Sequence, residues 1–356
     1  MKTIVTALLT ILVSGGTALA AQNVANTSQK GSLLIWPLIN VDPSTNADTI
    51  IELSNDANRT VHIECFYVNE KKGRVDFDFH LTGKQTVSWS VRTRDGDQVQ
   101  PARFPAGGSF AGGGVYPPTN PSRGELVCFA TNEDVTTQIA WNHLTGTATV
   151  TDNTGNFRYN AWSFVARNAD GLPERNNTPQ GTPGRLELSG NGAGTYDACP
   201  AYNIANFMPN GATLGNLTTT SNALTVVSCN QDLRQDFNLH LTKLRFTVWN
   251  SFENSFTGAY ICVDSVNTVA LGEGNQFLVN GSNFEYSTLK TPNARFQVSG
   301  DRSTQCPNST AAGLLGVLTS ETAFGEVGST THTAGAVPGF VLWDPFGDVP
   351  FRPGTK

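Results

Sequence analysis

Between residues 75 and 82 the chain reads VDFDFHLT, with Phe77, Phe79 and Leu81 at alternate positions and Asp76, Asp78, His80 and Thr82 between them. Side chains of an extended strand point alternately to opposite faces, so such a run packs on one side and meets water on the other. A helix would scatter the same residues around its circumference. Comparable short runs rich in Val, Ile, Thr, Phe, Tyr and Trp recur between Asn, Asp and Gly turns, and helical periodicity is nearly absent beyond residue 20. The expected fold class is all-β.

In the first half, strands are expected at 33–39 (LLIWPLI), 49–54, 60–68 (TVHIECFYV), 75–82, 86–92, 125–130, 138–151 and 159–166. Residues 60–68 alternate less cleanly, as a central strand covered on both sides does. DNTGN at 152–156 reads as a hairpin turn. In the second half the runs fall at 202–208, 223–229, 236–252, 258–264, 276–280, 294–299, 314–320 and 340–345.

The first 20 residues, MKTIVTALLTILVSGGTALA, combine one Lys, an apolar run from Ile4 to Val13 and small residues at Ala18 and Ala20. They read as a secretory signal peptide cleaved after Ala20, since the apolar run is far shorter than the roughly 20 residues of a bilayer span. The remaining chain, about 336 of 356 residues, exceeds what one hydrophobic core usually serves. Two tandem immunoglobulin-like β-sandwich domains are therefore expected, at 31–167 and 199–345. A Gly/Pro/Asn-rich linker at 168–198 joins them, with a flexible segment at 21–30 and a tail at 346–356.

An internal duplication can be aligned in two registers. One superposes DFDFHLT (76–82) on DFNLHLT (236–242). The other superposes TIIELSND on LTVVSCNQD and RTVHIECFYVNE on KLRFTVWNSFEN, matching two consecutive strands and their turn. The second is the more physical, because it keeps strands in order. Six cysteines in an exported chain favour three disulfides. The expected pairs are Cys65 with Cys128, Cys229 with Cys262, and Cys199 with Cys306, on the premise that Cys128 and Cys262 lie in similarly placed late strands.

Charged residues are only 15% of the chain, and removal of Lys2 with the leader leaves 22 basic against 29 acidic residues with no basic cluster. Nucleic acid is therefore not an expected partner, and no membrane span is expected. Protein partners or self-association are expected, with a glycan as the alternative ligand.

The stretches YDACP (196–200), VWNSFENSF (248–256) and WDP (343–345) resemble a set of secreted, β-rich bacterial proteins with no assigned activity. The resemblance implies a bacterial source and export. It brings no cofactor and no site residue.

Chemistry is sparse. GxSxG, HExxH, CxxC and the EF-hand loop are absent, and paired carboxylates for glycoside hydrolysis are indicated nowhere. Three of the five histidines sit in the tripeptide HLT, at His80, His143 and His240. Asp78 and His80 share a strand face, and His62 would join them only if its strand paired with theirs. A zinc site needs three or four protein ligands, so no metal site, no cofactor and no catalytic residue is expected. The HLT histidines read as solvated positions of a repeated scaffold.

A Gly-rich loop at 104–124 carries Phe110 and Tyr116 as candidate ligand contacts, with Trp89, Trp141 and Trp162 as further stacking surfaces. The expected function is a secreted, non-enzymatic surface, matrix, filament or adhesion-type protein, periplasmic, cell-surface or extracellular. Extracellular carbohydrate or ligand binding, with or without hydrolysis, is the alternative.

Overall fold

The computed structural model describes residues 23–70, 72–105, 122–153, 155–190, 192–229, 233, 241–324 and 331–337. The chain is all-β, arranged in several antiparallel sheets. The first part runs through β1 (Leu33–Val41), β2 (Asp48–Asn55), β3 (Val61–Asn69), β4 (Arg74–Leu81), β5 (Thr86–Ser90), β6 (Gly96–Asp97), β7 (Ser122–Thr131), β8 (Gln138–Ile139), β9 (Leu144–Thr151), β10 (Asn156–Asn160) and β11 (Trp162–Phe164). Three short strands follow, β12 (Ala166–Arg167), β13 (Pro179–Gly181) and β14 (Thr195–Tyr196). The second part runs through β15 (Tyr202–Phe207), β16 (Thr213–Leu214), β17 (Leu217–Ser228), β18 (Thr242–Asn250), β19 (Ser255–Val263), β20 (Val266–Ala270), β21 (Ala294–Asp301), β22 (Leu314–Phe324) and β23 (Thr331–Val337).

The two halves repeat one topology. The first builds sheets in the order β11-β1-β7-β3-β4 and β10-β9-β2-β5-β6, and the second in the order β15-β21-β18-β19 and β16-β17-β22-β23, with β20 also paired to β17. Eight strands therefore correspond in chain order, with β2 matching β17 and β3 matching β18. This is the register that superposes TIIELSND on LTVVSCNQD. In it DFDFHLT forms β4, whereas residues 236–240 of its look-alike lie outside the described residues. The expected strand at 276–280 does not form, because the chain there turns into short helices over Gly281–Phe284 and Tyr286–Leu289. The expected strand at 340–345 lies outside the described residues.

Alternation in β4 works as the sequence indicates. Phe77, Phe79 and Leu81 enter a core with Trp36, Leu53, Ile63, Tyr67 and Trp89, between the two sheets of the first half. Fully burying an aromatic or aliphatic side chain contributes roughly 1.5–3 kcal/mol each. In β1 the β7 register shifts between Trp36 and Ile39, bracketing Pro37, which has no N–H to give the ladder. The neighbouring Leu38 N–H donates instead to the Tyr159 hydroxyl at 3.2 Å. Gly146 in β9 is required by close approach, since a Cβ there would lie 2.2 Å from Cζ2 of Trp36.

Every residue of β3 is buried, as are nearly all of β1. Their second face is covered from the other half. Leu33, Ile35, Phe66, Val127, Phe129, Trp162 and Phe164 belong to the same apolar cluster as Leu224, Val226, Phe246, Phe296, Leu315 and Leu318. The end of β17 and the start of β22 are correspondingly buried on both faces. One apolar cluster thus spans both halves.

The stretch 168–198, which composition marks as a linker, is fastened along its length. β12 pairs with β14, β13 pairs with β8, and the Tyr196 hydroxyl donates to Oε1 of Gln138 at 3.2 Å. Asp197 is fully buried, accepting from Val165 N–H at 3.0 Å, from Gln29 Nε2 at 2.8 Å and from Arg167 Nε at 2.7 Å. The N-terminal segment is held too, through Ala25 N–H to Ala198 and bridges from Asn26 to Ser163 and Gly31 to Leu144.

Cys65 and Cys128 lie opposite each other on β3 and β7 and are joined. The other two expected pairs, Cys229 with Cys262 and Cys199 with Cys306, are corrected by the structure: Cys199 joins Cys229, and Cys262 joins Cys306. The premise failed because Cys262 lies on the edge strand β19, which corresponds to β4, whereas the counterpart of β7 is β21. From β19 the reachable partner is Cys306, in the turn after β21.

Candidate functional site

His62 and His80 face each other across the β3–β4 ladder, and that pairing is what the sequence could not supply. Because alternate residues share a face, Asp78, His80, His62 and Glu64 all project from the side opposite the Phe77–Phe79–Leu81 core. The two imidazoles stack with ring centroids 4.1 Å apart and planes 9° from parallel. His62 is buried, while His80 and Asp78 are exposed.

A third contributor arrives from the turn after β7. Thr131 opposes His62 in the β3–β7 ladder, which brings the next residues of the chain over the histidine pair. Asn132 shapes that turn: its Oδ1 accepts from the N–H groups of Thr136 and Thr137, each at 2.9 Å. Glu133 is thereby placed to act twice. Its backbone carbonyl accepts from His62 Nδ1 at 3.1 Å, and its Oε1 lies 2.8 Å from His80 Nε2. His62 Nε2 in turn lies 2.7 Å from Asp78 Oδ2. One potential ligand atom from each of His62, His80 and Glu133 falls within 4.8 Å of the others.

Glu64 adds a further carboxyl beside this cluster, opposite Asp78 in the ladder. Burial, and then the neighbouring negative charge of Asp76, pushes its pKa up to about 7. Its Oε2 is buried with no hydrogen-bond partner among the described residues.

His143 of the HLT pattern does not join. His143 Nε2 lies 3.1 Å from Asn176 Nδ2 and its ring packs edge-on to Trp141, while His240 lies outside the described residues. The candidate ligand contacts Phe110 and Tyr116 also lie outside them. The tryptophans offered as stacking surfaces are buried instead. Trp89 donates its indole N–H to the Tyr67 hydroxyl at 2.7 Å, Trp141 to Asn55 Oδ1 at 3.0 Å and Trp162 to the Gly316 carbonyl at 3.3 Å. A buried indole that has found an acceptor is a core element, not a sugar platform.

A second concavity lies over the outer face of the β2–β9–β10 sheet. It is a groove of about 330 Å³ lined by Thr27, Gln29, Lys30, Glu52, Thr147, Arg158 and Asn160 among others. Glu52 pairs there with Arg158 and accepts from Thr147 Oγ1 at 2.8 Å. This groove is not legible in residue order, because it forms only where residues 27–30 fold back over the sheet.

No protein-family model matches the chain, and no curated protein matches it. Among solved structures, the PBSX exported protein XepA is similar at a TM-score of 0.18 and 8% identity, over 78% of this chain and 84% of that one. A likeness of that degree carries no argument about fold or function. No helix among the described residues is long and apolar enough to cross a membrane.

Proposed function

We propose that the chain is an exported, non-enzymatic structural protein of a surface, matrix, filament or adhesion type, made of two tandem β-sandwiches. The observation that supports this reading is the apolar cluster common to both halves. Units joined by a bare linker swivel; units that share a core present their surfaces in fixed relation, as a load-carrying or assembling component needs. Three disulfides suit an oxidising compartment. Cell fractionation tests the reading: the protein is expected outside the cytoplasm, with self-association or a protein partner recovered by cross-linking there. Retention in the cytosol with reduced cysteines overturns it.

The polar groove favours a second reading, binding of a carbohydrate or a similar hydroxyl-rich ligand. Its lining offers hydroxyls, amides and one ion pair, the donors and acceptors that fix a sugar's orientation. A glycan array separates the two readings. Binding lost in Arg158→Ala or Asn160→Ala supports the groove, binding lost in Phe110→Ala or Tyr116→Ala supports the Gly-rich loop, and no binding leaves the structural reading alone.

A further inference from the structure

We propose that His62, His80 and Glu133, with Asp78 as fourth donor, bind a divalent transition-metal ion of the zinc class on the outer face of the β3–β4 hairpin.

The orientation of His62 is the first ground. A carbonyl oxygen only accepts, so the contact from Nδ1 to the Glu133 carbonyl assigns the ring proton to Nδ1 and leaves the Nε2 lone pair on the other side. Histidines that ligate metals are typically held in this way, with the second nitrogen donating to a backbone carbonyl that sets the tautomer. That lone pair points at a carboxylate oxygen of Asp78, 2.7 Å away. Two electron-rich atoms at that distance have a proton between them, and a metal ion held by both would take its place only as they part to about 3.3–3.6 Å.

The donor set is the second ground. Two imidazole nitrogens and two carboxylates match zinc, and copper and nickel accept the same atoms. Stacking sets the two imidazoles side by side, 4.1 Å between centroids, so that rotation of the exposed His80 ring brings both to one ion. In a zinc tetrahedron with bonds of about 2.0–2.2 Å, ligand atoms lie roughly 3.3–3.6 Å apart. His62, His80 and Glu133 already bring theirs within 4.8 Å. The exposed His80, Glu133 and Asp78 have to swing, while His62 is fixed by burial.

Charge is the third ground. With neutral imidazoles, Asp78 and Glu133 leave the cluster negative, and no Lys or Arg forms an ion pair with either among the described residues. A solvated strand face of histidines and carboxylates has no need of the Asn132-braced turn that sets Glu133 over both rings.

The test uses purified protein, stripped with EDTA, exchanged into chelator-free buffer and titrated calorimetrically with zinc chloride. One equivalent is expected to bind, and His80→Ala and Glu133→Gln are each expected to weaken binding tenfold or more. His143→Ala, remote from the cluster, is expected to leave the affinity unchanged. Absence of saturable binding, or losses smaller than tenfold in both ligand variants, overturns the proposal. Both substituted side chains are exposed, and circular dichroism verifies that the variants fold. Copper(II) supplies an independent reading: electron paramagnetic resonance is expected to show two coupled nitrogens, falling to one in His80→Ala. An identical spectrum in that variant overturns the assignment.

Discussion

Trp162 donates its indole N–H to the carbonyl of Gly316, at 3.3 Å across 154 residues of chain. The bond links β11 of the first half to β22 of the second, inside the cluster that also holds Leu33, Phe129, Leu224 and Leu318. Differential scanning calorimetry is therefore expected to show one transition for both halves, with calorimetric and van't Hoff enthalpies in agreement. Trp162→Ala is expected to cost about 3–5 kcal/mol, and Trp162→Phe, which keeps most of the packing, about 1 kcal/mol for the unmet carbonyl. Two resolved transitions would show that the shared core does not couple the halves.

Asp197 is fully buried against Arg167, with Val165 and Gln29 donating to the same carboxylate. Removing one partner of a buried ion pair leaves an uncompensated charge. Asp197→Ala is expected to destabilise by about 3–5 kcal/mol in urea unfolding, and Asp197→Asn by less, because an acceptor remains. A loss below about 1 kcal/mol for the alanine variant would mean that Arg167 finds water instead.

Glu64 ties stability to pH. Its carboxyl is pushed up to about 7 from the ordinary 4.5, chiefly by burial and then by Asp76. Between those values the folded protein holds a proton that the unfolded chain has already released, so stability is full below about 4.5, falls as pH rises through 7 and then levels. In EDTA, Glu64→Gln is expected to raise Tm relative to wild type at pH 8 and to leave it nearly unchanged at pH 4. Equal differences at the two pH values would count against this.

The corrected disulfides have their own readout. Peptide mapping without reduction is expected to recover Cys199 joined to Cys229 and Cys262 joined to Cys306. The first closes a separation of 30 residues, and replacing both cysteines by Ser is expected to cost roughly 3–4 kcal/mol by loop-closure entropy. Recovery of Cys229 with Cys262 would contradict the topology from which the pairing follows.

Much of the fold was legible because strand period and burial coincide in this chain. VDFDFHLT shows its inner face outright, and HIECFYV betrays by its lack of alternation that both its faces are covered. β20 escaped notice because VNTVA is short and follows directly on its neighbour. Cys65 with Cys128 was read correctly, whereas the other two disulfides were misassigned because edge and central strands look alike in sequence. The site was legible only in part: Asp78 and His80 share a strand by inspection, but His62 joins them through pairing and Glu133 through a turn on a third strand. Neither relation is written in residue order.

The fastening of residues 25–31 to partners at 144, 163 and 198 sets an order of events for a chain made from its N-terminus. Residues 25–31 cannot complete their docking until residue 198, most of two hundred residues later, has followed them. Folding of the first unit must therefore wait on distant chain, which makes it slow for its size. Until then these seven residues stand without their partners, however much of the intervening sheet has already formed.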